Sequence, residues 1–381
     1  MMETNRIERF SKLDGLRGLL SLIVCLNHSF MVVVIPTFAN VWQQNPLFFH
    51  DLQAKLQQLM MFIGNGGAAV TLFFLLSGFV LGQSYAKIKI DFRGFWGFIV
   101  KRMIRLYPVY ALIAILTAIY MKTGFSYQTF PDSSAWFNWW MNFEMTIKEF
   151  LLNLTFIHTY LGGVTWTLRV ILIISFIFPI VYLLNKKTSR WADLFIVGLL
   201  VYLSFTLFDF GDDFRDLRYL YMFYLGLMVP KFKNFFSSIS NRVAMLLLPG
   251  ATIILLGFRY LTDQYLGGVV EAIISFMIIG LAAYGSKTTV LNFLDGEFLK
   301  FFGKISYSLY LIHFSVLYIL SRFMFVYLPN LPYSNHYFLI HVVLFIFSTI
   351  MATGVSLLVY RFVELPSHNL SVKAGQKISE R

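Results

Sequence analysis

Cysteine is all but missing. Cys25 stands alone in the chain, which excludes an intramolecular disulfide and a cysteine-built metal site. Charge is scarce too: only 13% of residues are Asp, Glu, Lys or Arg against 58% apolar, and with a mean hydropathy of +0.69 that is too little polarity for a globule in water. No Gly-rich or Pro-rich linker and no clear repeat divides the chain. One membrane unit over 1–366 with a short cytoplasmic tail over 367–381 is therefore expected. The net charge of +12 sits in short loops beside apolar runs, where orientation signals belong, so nucleic acid is not an expected partner.

What the chain does have is apolar runs of roughly 18 to 25 residues, the length an α-helix needs to cross about 30 Å of hydrocarbon. The first, Leu16 to about Ile35, is too long for the core of a cleaved signal, and no small-residue cleavage site follows it. It is expected to stay in the membrane. About ten spans are predicted, near 16–36, 60–84, 98–121, 164–184, 191–208, 217–230, 243–261, 267–285, 304–328 and 337–362, the sixth being short. The fold class is thus all-α, a polytopic transmembrane bundle of about ten helices in contact with membrane lipids.

Orientation follows from the basic loops. Lys87, Lys89 and Arg93; Lys186, Lys187 and Arg190; Lys231, Lys233 and Arg242; and Lys373, Lys377 and Arg381 all fall on one side, which places both termini in the cytoplasm. The other side holds Asp209, Asp212, Asp213 and Asp216 and the stretch with Trp136, Trp139 and Trp140. Within the outer loop 122–163, Phe150 to His158 is apolar but too short to span, and reads as a re-entrant or interfacial helix.

Ionisable side chains in hydrocarbon cost several kcal/mol unless they face a partner or a wet cavity, so they mark candidate sites. Arg17 and His28 are eleven residues apart. On a helix that returns to within about 20° of the same face, about 16 Å further along. Asp14 lies on nearly that face, so a polar track enters the membrane from the inner side. Burial leaves an imidazole neutral and able to take a proton from a hydroxyl; the plainer reading is a histidine bonded to a neighbouring helix. Lys101, Arg102 and Arg105 open the third span. They fit either anchors reaching the interface or a guanidinium clamp for the phosphates of a cytosolic donor. Trp166 and Arg169 open the fourth span from outside and Arg218 the sixth, as interfacial anchors or as contacts to a polar acceptor. Ser77 and Gly78, Glu271 and His313 are further polar or small points that let helices approach, and Pro366, after Glu364, is an expected helix stop. No metal site is predicted.

Six pieces in order resemble acyltransferase family 3, the membrane-bound O-acyltransferases of surface glycans. They are Leu13-Asp14-Gly15-Leu16-Arg17-Gly18 with His28, Phe73-Phe74-Leu75-Leu76-Ser77-Gly78-Phe79, Arg102-x-x-Arg105-Leu106-Tyr107-Pro108-x-Tyr110, Trp166-Thr167-Leu168-Arg169-Val170, Ser306-Tyr307-Ser308-Leu309-Tyr310-Leu311-Ile312-His313, and Arg361-Phe362-Val363-Glu364-Leu365-Pro366. The resemblance implies a cytoplasmic acyl-CoA donor, most often acetyl-CoA, and no permanently bound cofactor. It also implies a glycan or lipid-linked glycan acceptor, such as an O-antigen precursor of lipopolysaccharide, met from the periplasmic face of a bacterial inner membrane. His28 would be catalytic, with Arg17, Arg102 and Arg105 supporting the donor or the site geometry. The chain departs in one place: Ile171 stands where many relatives have Glu, so that carboxylate's role does not carry over. The chain resembles the stand-alone type, without an appended esterase-like domain. The rival class is a secondary transporter of a small polar solute, for which no inverted repeat or pair of interrupted spans is seen.

Overall fold

Lipid offers no partner to a backbone N–H or C=O, so runs this apolar must close their hydrogen bonds internally as helices. The computed structural model describes residues 11–35, 51–206 and 212–380 and is all-helical; among these residues no strand forms, and one isolated bridge joins Val33 to Ser133. Asp209 and Arg381 lie outside the described residues, as do the side chains of Asp212, Asp213 and Lys377.

In chain order the helices are α1 (Ser11–Ser29), α2 (Leu52–Ile63), α3 (Gly66–Tyr85), α4 (Phe92–Thr123), α5 (Ala135–Trp139), α6 (Ile147–Leu154), α7 (Thr165–Lys187) and α8 (Arg190–Thr206). They continue with α9 (Leu220–Met228), α10 (Lys233–Ser238), α11 (Asn241–Gly257), α12 (Gln264–Tyr284), α13 (Glu297–Tyr327), α14 (Tyr333–Val359) and α15 (Leu365–Glu380). Acidic and amide caps set where several begin. Asp51 accepts from Gln53 and Ala54 N–H, Asn65 from Ala68, Asp91 from Gly94, and Asp263 from Tyr265 and Leu266.

Seven stretches are long and apolar enough to cross a membrane: Leu52–Tyr85, Phe92–Thr123, Thr165–Lys187, Asn241–Tyr260, Gln264–Tyr284, Glu297–Tyr327 and Tyr333–Gly375. The other three expected spans differ for visible reasons. The helix α1 has 19 residues but carries Lys12, Asp14 and Arg17, and α8 has 17. The helix α9 has nine residues, about 14 Å of rise, and is entered and left through 3-10 turns. Its residues Tyr221–Met228 are all buried, so irregular backbone at that depth is shielded from lipid by protein.

Two expected boundaries are corrected. The first helix stops at Ser29, not near Ile35: the β-branched run Val32–Ile35 precedes Pro36, a sequence poor in helix propensity. The freed backbone is satisfied elsewhere, Val33 N–H by the His341 Nε2 at 3.0 Å and Ser134 N–H by the Val32 carbonyl at 2.8 Å. Pro366 does not stop a helix. A π turn over Tyr360–Glu364 feeds straight into α15, and Pro366 falls in its first turn, where no N–H is required. The helix α15 lies against α4, with Gly375 beside the Lys101 side chain.

Close packing of α1 on α13 fixes the centre of the bundle. A Cβ on Gly18 would run into the Leu299 carbonyl, and one on Gly303 into the Asp14 carbonyl, so the two backbones touch. Gly78 meets the Phe223 carbonyl of α9 in the same way, as its small size led one to expect.

Candidate active site

That backbone contact carries His28, near the end of α1, against His313 of α13. His28 Nδ1 is 2.9 Å from His313 Nε2, and the rings lie nearly parallel with centroids 5.2 Å apart. His313 Nδ1 is 3.1 Å from the Leu309 carbonyl. A carbonyl only accepts, so in the neutral pair His313 carries its proton on Nδ1 and offers a lone pair at Nε2. His28 Nδ1 must then donate, which leaves the lone pair of His28 on Nε2. Among the described residues Nε2 has no hydrogen-bond partner. Trp136 and Phe314 hold the ring from two sides, with centroids at 5.5 and 5.8 Å.

His28 lines a cavity of about 390 Å³ that also takes in Trp136, Trp140, Trp166, Arg218 and Arg259. A second cavity, of about 150 Å³, is lined at its polar end by Arg17, Arg102, Arg105, Tyr307, Glu364 and His368. Apolar walls from Phe73, Leu168 and Ile171 complete it. Val70 and Tyr310 belong to both linings, so the cavities adjoin there, with the Tyr310 and Thr167 hydroxyls bonded at 3.1 Å. The track inferred from the spacing of Arg17 and His28 is thus a pair of adjoining cavities with the imidazole on the larger one.

Of the expected donor-side residues, Arg17, Arg102 and Arg105 come together. Arg105 lies within electrostatic reach of Arg17, Glu364, Tyr307 and Asp14. Asp14 is exposed, 3.8 Å from Arg17 one turn away, and is not in either cavity lining. Lys101 is also outside both linings, packed toward Gly375. Of the expected acceptor-side residues, Trp166 and Arg218 line the larger cavity. Arg169 does not: its Nε is 2.8 Å from Asp216 and its Nη1 donates to the Ile157 carbonyl at 3.2 Å, so it braces the loop ends.

Four residues emerge that sequence reasoning gave no chemical part. His313 was read as a packing point and Glu364 as a helix end. Glu364 accepts from Ser308 at 2.5 Å and brings a carboxylate to the cavity that Ile171 also lines. Arg259 and Glu271 form a two-pronged ion pair, Nε to Oε1 at 2.8 Å and Nη2 to Oε2 at 2.5 Å. The signal for that pair was present, since a carboxylate inside an apolar run demands a cation. Among the described residues no group of three or more His, Cys, Asp or Glu converges as metal ligands.

The family described as acyltransferase domain matches residues 10–361. Among characterised proteins, the chain is similar to O-acetyltransferase OatA of Staphylococcus aureus, with the same figures for strains NCTC 8325 / PS 47, COL and MRSA252: 26% identity over 354 residues, covering 82% of this chain and 54% of the relative. The chain thus spans about half the length of those relatives. No solved structure matches it.

Proposed function

The chain belongs to the acyltransferase-domain family, acyltransferase family 3, and from that premise we propose that it is an integral membrane O-acyltransferase. It moves an acyl group, acetyl first among them, from cytoplasmic acyl-CoA to a hydroxyl of a surface-glycan precursor, such as an O-antigen unit, at the periplasmic face of a bacterial inner membrane. The observation that carries this reading is a histidine whose free Nε2 belongs to an imidazole on one cavity, beside a second cavity ending in three arginines.

In this reading the seven apolar helices are joined by α1, α8 and α9 in a bundle of about ten, with both termini cytoplasmic. Residues 1–366 form the transferase unit and 367–381 a cytoplasmic tail. Arg17, Arg102 and Arg105 hold the CoA phosphates at the inner end, where planar guanidiniums match phosphate oxygens, while Lys101 adds charge at the mouth and Asp14 steadies Arg17. The slender pantetheine arm follows the apolar wall past Ile171 toward Tyr310. CoA itself stays on the cytoplasmic side.

The chemistry asks little more than a base, alignment and charge stabilisation, because the thioester is already activated. His28 Nε2 takes the proton of the acceptor hydroxyl as its oxygen attacks the thioester carbonyl. The C–S bond then breaks, and the thiolate of CoA recovers the proton from the imidazolium. His313 receives the hydrogen bond from Nδ1 throughout, so the ring keeps one orientation. An acyl-histidine route would use the same Nε2 as nucleophile. Trp166 and Arg218 contact the acceptor, and Arg169 holds Asp216 in place.

The test is mass spectrometry of surface glycans from cells with and without the gene, paired with CoA release by the purified chain. An acyl mass present only with the gene, and lost on His28→Ala in a protein that still folds, is the expected result. Transfer at the native rate by His28→Ala would exclude both routes.

A further inference from the structure

The larger cavity contains a second built feature besides the His28 imidazole. Arg259 sits in the turn after α11, and its guanidinium reaches over α12 to Glu271, which is fully buried and also accepts from Thr71 at 3.1 Å. Glycines make the slot: a Cβ on Gly67 would come within 2.9 Å of the guanidinium carbon, and one on Gly267 within 3.0 Å of the Arg259 backbone. The pairing uses Nε and Nη2, which leaves Nη1 at the far end of the plane. Among the described residues Nη1 has no hydrogen-bond partner, and Arg259 lines the cavity. A second residue of the same lining carries a donor unpartnered among the described residues, the buried indole Nε1 of Trp140.

Two N–H donors without acceptors, both on residues of one aromatic cavity, suit acceptor oxygens: the Arg259 edge is accessible from the cavity, its side chain being 28% exposed, and the indole N–H is buried, where an unsatisfied donor is costly. We propose that Arg259, locked by Glu271, and Trp140 Nε1 form an acceptor-orienting subsite that binds hydroxyl or carbonyl oxygens of a sugar ring next to the one being acylated. This rests on the transferase reading above. The ion pair is neutral as a unit, so it selects by hydrogen-bond geometry, and the fixed plane of the guanidinium sets the angle at which the ring presents its reactive hydroxyl to His28. Trp136 and Trp166 supply faces on which a pyranose ring packs.

The full chain in lipid nanodiscs, with acetyl-CoA and the base-deacylated surface glycan of the source cell as probe, tests this. Arg259→Lys keeps a cation beside Glu271 but loses the planar edge, and Trp140→Phe keeps the ring but loses the N–H. Each is expected to raise the half-saturating glycan concentration about tenfold and leave that of acetyl-CoA unchanged. The double variant Arg259→Met with Glu271→Gln removes both charges together, so no buried charge is left unpaired, and it should behave like Arg259→Lys. Glycan half-saturation within twofold of wild type in all three would overturn the subsite, and so would equal shifts for both substrates, the mark of general loosening. Absence of any transfer by the wild type would instead sink the transferase reading, and the subsite with it.

Discussion

Replacing His313 with leucine tests the site at its least redundant contact. The change removes the acceptor 2.9 Å from His28 Nδ1 and nothing else that the helix needs, because the Leu309 carbonyl keeps its backbone bond within α13. A buried donor left without a partner costs about 1–3 kcal/mol. That penalty falls on the one tautomer with its lone pair on Nε2, so His28 shifts to the other tautomer or turns its ring. At about 1.4 kcal/mol per factor of ten, the competent fraction and with it kcat fall roughly tenfold to a hundredfold. Half-saturation by acetyl-CoA and by glycan should hardly move, since neither cavity lining includes His313. Glutamine sets an amide oxygen near the place of the imidazole Nε2 and should restore kcat to within about threefold, whereas asparagine, whose amide falls near Nδ1, should not. The assay is thiol release from acetyl-CoA in the presence of deacylated glycan, with thermal melts to establish folding. A folded leucine variant with kcat within twofold of wild type, or a glutamine variant as poor as leucine, would refute the tautomer argument.

Other residues should respond in different measurements. Arg105→Gln is expected to raise the half-saturating acetyl-CoA concentration about tenfold or more, with a shallower salt dependence and little change for glycan; an unaltered donor response would remove Arg105 from the clamp. Arg169→Gln leaves Asp216 mostly buried and unpaired, at a cost of about 1–3 kcal/mol, so the melting midpoint should drop while the half-saturating acetyl-CoA concentration holds. Asp51, outside the spans, has its carboxyl held below the usual range, first by the Tyr337 hydroxyl and then by the Gln53 and Ala54 N–H groups. A carboxyl lowered by folding stabilises above its unfolded value, about 3.9, and the benefit is lost as pH falls through the folded value. Melts at pH 3 to 7 should thus show a loss at the acid end that is smaller in Tyr337→Phe; identical curves would discount the contact.

The parts of this molecule that could be read in sequence are those that lipid dictates. Long uninterrupted apolar runs became helices because a helix satisfies every backbone group within its own segment, and the sixth run can be short because it is enclosed by protein and need not reach both faces. Helix ends were less legible because they depend on local competition. Valine and isoleucine before Pro36 ended α1 early, while one π turn carried the last helix past Pro366. Periodicity placed Arg17 and His28 on one face but was silent on what that face meets. The meeting of His28 with His313 depends on Gly18 and Gly303, which bring two backbones 285 positions apart into contact. No spacing rule within either helix encodes that.

The same limit explains why Arg259 carried no signal of its own in the sequence and Glu271 read as packing. Taken singly, each has an ordinary explanation: an arginine at a helix end, a small-residue segment with one acid. Taken together they do not, because a fully buried carboxylate must be paired, the nearest basic residue in sequence is Arg259 twelve positions away across a turn, and the pairing fixes which edge of the guanidinium remains. Arg169 makes the opposite case. It stands within a motif of the family and yet spends its hydrogen bonds on Asp216 and a backbone carbonyl, outside both cavities. Motif membership therefore identifies residues that the fold requires without telling which of them face substrate, whereas an unsatisfied donor in a cavity wall points to a ligand by the cost of leaving it bare. Arg259 and Trp140 line the larger cavity and Arg169 lies outside both, so the first two have a stronger claim on the acceptor.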